Sequence, residues 1–126
     1  MYVLAGALCD ASGRVLLAER PAGKQLAGMW EFPGGKREPG ETPLATLTRE
    51  LDEELGVTVV DAAPLVRVPW HYAGRELLLD AWRVTRWQHV PTPREGQRIA
   101  WYLPAQVDPQ ILAPADRAIL RAVCTA

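Results

Sequence analysis

Cysteine is scarce. The chain has two, Cys9 and Cys124, near its opposite ends. They form no C-x-x-C pair and have no histidine at metal-ligand spacing, which excludes a zinc site or a disulfide scaffold as the organising feature. Both are expected as reduced, buried thiols of a cytosolic protein, because a free cysteine behaves as a small hydrophobe. Net charge is nearly absent, at −1. That balance offers no basic surface for a DNA or RNA backbone, so no nucleic-acid polymer is expected as a partner. No run reaches about 18 apolar residues, the length that crosses a bilayer as a helix, so no membrane is expected either. The N-terminus lacks a basic segment followed by an apolar run, which argues against a secretory signal and for a cytoplasmic location. Histidine is limited to His71 and His89, both expected at the surface or in loops. Repeats, low-complexity tracts and linkers are missing as well.

What remains is ordinary globular material. Hydrophobic residues make up 48% of 126, enough for one compact domain over residues 1–126 with a core of its own. Tyr2 to Cys9 is strand-like, Asp10 to Gly13 is a turn cluster, and Arg14 to Glu19 reads as the second arm of a hairpin. Pro21 to Gly28 is a loop, and Trp30 to Pro33 a short extended piece leading to the pair Gly34-Gly35. Thr42 to Leu55 is the clearest helix, with Thr42 as N-cap, Pro43 at the first helical position and Gly56 as the stop. Val57 to Val60 and Leu65 to Trp70 look extended, His71 to Arg75 reads as a turn, and Glu76 to Arg86 pairs back as a second hairpin. Trp87 to Gly96 is a polar loop, Gln97 to Leu103 a short strand, and Pro114 to Val123 a final helix. Hairpins mixed with two helices predict an α/β domain, a mixed β-sheet with helices on both faces.

The chemistry lies between Gly35 and Val57. Gly35 is followed by Glu41, then by Arg49-Glu50-Leu51, Glu53-Glu54 and Gly56-Val57. On a helix advancing about 100° per residue, Glu50, Glu53 and Glu54 share an arc of about 100°. Leu44, Leu47, Leu51 and Leu55 form an apolar stripe roughly 125° away, suited to packing on a sheet. Three carboxylates this close repel unless a cation intervenes, and Mg²⁺ suits carboxylate and phosphate oxygens. Taken alone, E-x-x-E-E would equally fit a solvated helix face. Gly34-Gly35 is expected to let the backbone turn tightly and approach a ligand. Lys36 directly after it is either a solvated loop lysine or a cation for phosphate.

This spacing resembles the signature of the Nudix hydrolases, G-x5-E-x7-R-E-U-x-E-E-x-G-U with U a bulky aliphatic, and matches it at every fixed position. The resemblance implies an α/β/α sandwich and metal-assisted hydrolysis of a pyrophosphate bond, with Mg²⁺, or Mn²⁺ in its place, as cofactor. It implies that Glu53 and Glu54 ligate metal, that Glu50 is a ligand or the general base, and that the Gly34 carbonyl joins the site. Glu41 and Arg49 would be a structural ion pair supporting it, with Gly35 in the turn. The run W-E-F-P-G-G-K-x-E-x-G-E-T-P resembles the MutT branch, which hydrolyses nucleoside triphosphates, notably oxidised guanine nucleotides such as 8-oxo-dGTP. Leu112 to Asp116 (L-A-P-A-D) is similar to the related CTP pyrophosphohydrolases. By these resemblances Glu95 is an extra carboxylate assisting the metal or the base. Arg20 matches an arginine near the phosphates or base, Phe32 an aromatic beside the base, and Arg75 a base-side arginine. Asp116 falls where MutT carries asparagine. An ionised carboxylate only accepts hydrogen bonds, so Asp116 would favour bases that present donors. Trp30 is a candidate pocket wall.

The expected activity is hydrolysis of an oxidised or canonical (d)NTP to the monophosphate and pyrophosphate, by a monomer or homodimer serving nucleotide-pool sanitation. Two other readings are open at this point: a pyrophosphohydrolase for CTP or 5-substituted pyrimidine triphosphates, and a catalytically silent nucleotide-binding module.

Overall fold

The computed structural model describes residues 1–125. Among them the elements run β1 (Tyr2–Leu8), β2 (Val15–Glu19), β3 (Trp30–Glu31), β4 (Gly34–Lys36), α1 (Pro43–Leu55), β5 (Thr58–Tyr72), β6 (Arg75–Gln88), β7 (Ile99–Tyr102) and α2 (Asp116–Thr125). Short 3₁₀ turns at Pro104–Gln106 and Pro109–Ile111, unforeseen in the sequence, lead into α2. Four strands form a mixed sheet in the order β4-β1-β6-β5, with β1 parallel to β6 and the other pairs antiparallel. A smaller antiparallel sheet has the order β3-β2-β7.

Side chains alternate across the larger sheet. Leu4 and Leu8 of β1 and Val84 of β6 pack against Leu47, Leu51 and Leu55 of α1. Ala5, Ala7, Leu79 and Ala81 point the other way, into a cluster with Ile119, Leu120 and Val123 of α2. A helix therefore covers each face, the expected α/β/α arrangement. Each fully buried leucine of α1 contributes roughly 1.5–3 kcal/mol by leaving water. Thr42 caps α1 by accepting the Ala45 N–H at 3.1 Å, Pro43 opens the helix, and Gly56 closes it.

Four expectations change. The β1–β2 hairpin does not form as one sheet: both edges of β1 are taken, by β4 and β6, so β2 enters the second sheet, and the two arms are bridged just beyond β1 at Cys9–Val15. The two extended segments after α1 are one edge strand, β5, whose register shifts between Val59 and Val66 absorb its irregularities. An edge position also tolerates the missing N–H groups of Pro64 and Pro69. Leu44 is 43% exposed and does not join the buried stripe of Leu47, Leu51 and Leu55. Thr46 is buried there instead, its hydroxyl satisfied by Glu41. Finally, Cys9 is half-buried and Cys124 is exposed, so only one of the two thiols is sheltered.

Candidate active site

Arg49 organises the polar face of α1. Its guanidinium grips Glu41 through Nε at 2.8 Å and Nη2 at 3.0 Å. Its Nη1 reaches Glu50 at 2.9 Å and Glu53 at 3.4 Å, and its Nη2 also donates to the Lys36 carbonyl at 3.1 Å. Glu41 accepts further hydrogen bonds from the Glu38 N–H and the Thr46 hydroxyl, both at 2.9 Å. These contacts, Arg49 first, hold the Glu41 carboxyl at about 2. One arginine thus ties the loop before α1, strand β4 and the helix into a single frame.

Gly34 and Gly35 are not a turn but strand β4, lying antiparallel to β1. The close approach they permit is to the protein itself. A Cβ on Gly34 would sit 1.9 Å from the Leu4 carbonyl oxygen, and one on Gly35 would sit 2.3 Å from the Glu50 carboxyl carbon. Glycine is required because β1 and the helix carboxylates press on the strand from either side. The Gly34 N–H in turn donates to Glu54 at 3.2 Å.

The three helix glutamates differ in setting. Glu53 is 53% exposed. Glu50 is partly buried, and burial raises its carboxyl against the pull of Arg49. Glu54 is pushed up to about 8, first by burial and then by the charges of Glu31, Glu50 and Glu95. Among the described residues no three such side chains converge into a metal cage. Glu50 and Glu53 turn toward Arg49, while Glu54 turns toward the Gly34 amide. The donor set nonetheless fits a hard divalent cation: carboxylate oxygens beside backbone carbonyls, in an acid cluster whose mutual repulsion a cation would relieve.

Glu95 approaches from another part of the chain. Its loop closes the C-terminus of α1: Thr92 N–H donates to the Leu55 carbonyl at 2.9 Å and Arg94 N–H to the Glu54 carbonyl at 3.0 Å. Gln97, buried, bonds both to the Glu95 N–H and to the Glu54 carbonyl.

Beside this acidic wall runs a cleft of about 570 Å³. Glu54, Glu95, Gly34 and Lys36 line it, as do Arg20, Lys24 and Glu31. Trp70, Tyr72, Arg75, Phe32 and Asp116 complete it. Arg20 is already engaged: its Nη1 bonds both oxygens of Glu31 at 2.8 and 2.9 Å, and its Nε donates to the Gln25 carbonyl at 2.6 Å. The guanidinium expected to meet a nucleotide therefore also ties β3 to the loop at 21–28. Phe32 is 3% exposed and belongs to the core, reaching the cleft as part of its floor. Arg75 opens β6 after the turn at Ala73-Gly74. Trp30 does not line the cleft; it packs edge-on against Tyr102 beneath Arg98, and Trp70 supplies an indole to the wall instead. His71 and His89 are exposed.

Asp116, the first residue of α2, is 8% exposed and accepts the Phe32 N–H at 2.8 Å. Burial, followed by the nearby Glu31 charge, pushes its carboxyl up to about 8. Burial and the nearby Glu31 charge thus favour the protonated form of this carboxyl over the ionised one. A neutral carboxyl both donates and accepts, as an amide does.

Sequence reasoning missed Glu31, Lys24, Thr46 and Gln97. Glu31 is the carboxylate felt by both Glu54 and Asp116. It lies inside the W-E-F-P run, but nothing in its spacing marks it. Gln97 and Thr46 act through hydrogen bonds that only the fold assembles.

Residues 4–122 match the NUDIX domain family, and the chain belongs to it: it is a Nudix hydrolase. It is 38% identical over 96 residues to the 8-oxo-dGTP diphosphatase of Proteus vulgaris, covering 76% of this chain and 86% of that protein. It is 37% identical over 122 residues to the CTP pyrophosphohydrolase of Escherichia coli, covering 97% of this chain and 90% of that protein. The crystal structure of a MutT Nudix hydrolase from Burkholderia pseudomallei superimposes with a TM-score of 0.87 at 27% identity, covering 97% of this chain and 96% of that one.

Proposed function

We propose that residues 1–126 act as one Nudix unit, a Mg²⁺-dependent pyrophosphohydrolase that converts a (d)NTP such as 8-oxo-dGTP to the monophosphate and pyrophosphate. The observation that carries this reading is the cleft itself: Glu54 of α1 and Glu95 line it together with Asp116, a buried acid whose carboxyl burial pushes up to about 8. Glu53 and Glu54, with Glu50, Glu95 and the Gly34 carbonyl, would hold the metal. A bound Mg²⁺ supplies charge neutralisation for the triphosphate and a lowered pKa for a water. Glu50 takes a ligand position or the water's proton. Water attacks the β-phosphorus, the bond to the α–β bridging oxygen breaks, and the monophosphate leaves with that oxygen. Lys36 and Arg75 meet the substrate's anionic and base portions, Arg20 orients the cleft through Glu31, and Arg49 with Glu41 holds the glutamates in register.

Asp116 supports the oxidised-guanine reading. In its neutral form it offers a donor and an acceptor together, matching the hydrogen-bonding of an asparagine at this place. The second reading, CTP or a 5-substituted pyrimidine triphosphate, rests on the 37% identity to the CTP pyrophosphohydrolase over nearly the whole chain. Product analysis with Mg²⁺ across 8-oxo-dGTP, dGTP, dCTP and CTP, separating phosphate from pyrophosphate, decides between them. The expected result is pyrophosphate release with the highest kcat/KM for 8-oxo-dGTP; orthophosphate as the first product from every nucleotide would refute the proposal.

A further inference from the structure

The last turn of α1 leaves carbonyls without partners inside the helix. They are closed by a segment far along the chain, and Gln97 is its most specific member. Its Nε2 donates to the Glu54 carbonyl at 3.2 Å, and its Oε1 accepts the Glu95 N–H at 2.9 Å. The amide can sit only one way round, since the carbonyl only accepts and the N–H only donates. Gln97 is 8% exposed, so both bonds are sheltered from competing water. Glu95 itself is exposed and Gly96 after it has φ 75°; the Thr92 and Arg94 N–H groups hold the residues before Glu95 to the end of α1, and Gln97 holds the Glu95 peptide itself.

We propose that Gln97 is a positioning residue: its amide clamps the peptide that carries Glu95 to the final turn of α1, fixing the Glu95 carboxylate relative to Glu50 and Glu54. This rests on the reading that those carboxylates share a divalent cation. The clamp ties Glu54 on the site's helix to Gln97, 43 residues along the chain, and through it to the Glu95 peptide. The charge of Glu95 acts on both Glu50 and Glu54, so a displaced loop changes the whole cluster. Glutamine supplies an acceptor and a donor in one side chain at this span. Glutamate keeps the acceptor but turns an oxygen on the Glu54 carbonyl, asparagine is too short to span both partners, and methionine fills the space with neither bond.

The test is a double-mutant cycle between Gln97→Met and Glu95→Gln, read by Mn²⁺ binding in electron paramagnetic resonance and by steady-state pyrophosphate release. Gln97→Met alone should weaken Mn²⁺ binding and lower kcat by about tenfold each, as loss of a partner behind a metal ligand does, with the nucleotide KM within about twofold. In the Glu95→Gln background the same change should cost less than about twofold, because the residue it positions is gone. Equal losses in both backgrounds, or unchanged Mn²⁺ affinity, would reduce Gln97 to a helix cap and overturn the proposal. If thermal melts show that Gln97→Met does not fold, Gln97→Glu replaces it in both backgrounds with the same expectation. A wild-type chain that binds Mn²⁺ but releases no pyrophosphate refutes the proposed activity while the Mn²⁺ cycle still decides Gln97; a wild-type chain that binds no Mn²⁺ overturns the clamp.

Discussion

Glu41, before α1, and Asp116, at the start of α2, carry the same functional group in opposite states. Glu41 sits near solvent, and Arg49 with two more donors holds it ionised, at about 2. Asp116 lies within the protein with one backbone N–H and a neighbouring acid, Glu31, and is driven to about 8. Glu54 shares a feature with each. It is partly buried and, like Asp116, pushed up to about 8, yet it belongs to the acidic wall. The α1 side of the site thus holds charge on Glu41 through Arg49, while at the Asp116 side burial works against charge, as it also does at Glu54. A triphosphate nucleotide has the same polarity, with an end that needs cations and an end that is read by neutral hydrogen bonds.

The sharpest way to break the comparison is to remove charge from the acidic wall without changing its shape. Glu54→Gln keeps an oxygen to accept the Gly34 N–H and loses the ability to hold a cation. Its kcat with Mg²⁺ should fall by at least about a hundredfold, about 2.7 kcal/mol in barrier. Its melting temperature in EDTA should be equal to or above that of wild type, because a partly buried acid surrounded by like charges has been neutralised. Undiminished turnover would remove Glu54 from the metal site, and a large loss of stability in EDTA would show that its charge is structural.

Asp116→Asn sharpens the other side. A carboxyl whose folded-state value lies above its unfolded value adds stability that is complete below about 4 and lost as pH rises through about 8. Asparagine does not titrate, so the variant's advantage over wild type should grow from pH 4 to 8 and stay constant above, reaching about 5 °C or more in melting temperature at pH 9. Since asparagine imitates the neutral acid, kcat/KM for 8-oxo-dGTP at pH 7 should stay within about fivefold, whereas wild type should lose base selectivity above pH 8. Parallel melting curves for the two proteins across that range would show that Asp116 is ionised in the fold.

The two walls also differ in how far they could be read in advance. The α1 frame is local: Arg49 and Glu41 are 8 residues apart, Gly34 and Glu54 are 20. Helical periodicity is enough to place Glu50, Glu53, Glu54 and Arg49 on one face, and the caps at Thr42 and Gly56 fix the register. The Asp116–Phe32 bond spans 84 residues and exists only because β3 and the start of α2 meet beside the cleft. No spacing rule reports that Asp116 is buried or that Glu31 lies near enough to raise its carboxyl. The β1–β2 hairpin failed for a related reason: local turn chemistry was sound, but long-range pairing with β4 and β6 had already used both edges of β1.

The smallest effect should come from Glu41→Gln, which tests whether the low value of Glu41 is the work of its ion pair. A depressed carboxyl contributes stability that is present above its unfolded value, about 4.5, and is lost as pH falls through about 2. The variant has no charge to lose there. Wild type should therefore melt above Glu41→Gln at pH 7 by about 2 °C, a modest margin because the pair is only partly buried and is still screened. The margin should shrink as pH drops below 4.5 and vanish near 2. It should also narrow in 1 M salt, where the Debye length is about 3 Å, while the Asp116→Asn difference, sheltered from ions, should persist. A margin independent of both pH and salt would mean that Glu41 contributes only its hydrogen bonds to Thr46 and the Glu38 amide, and that Arg49 is oriented by Glu50 and Glu53 alone.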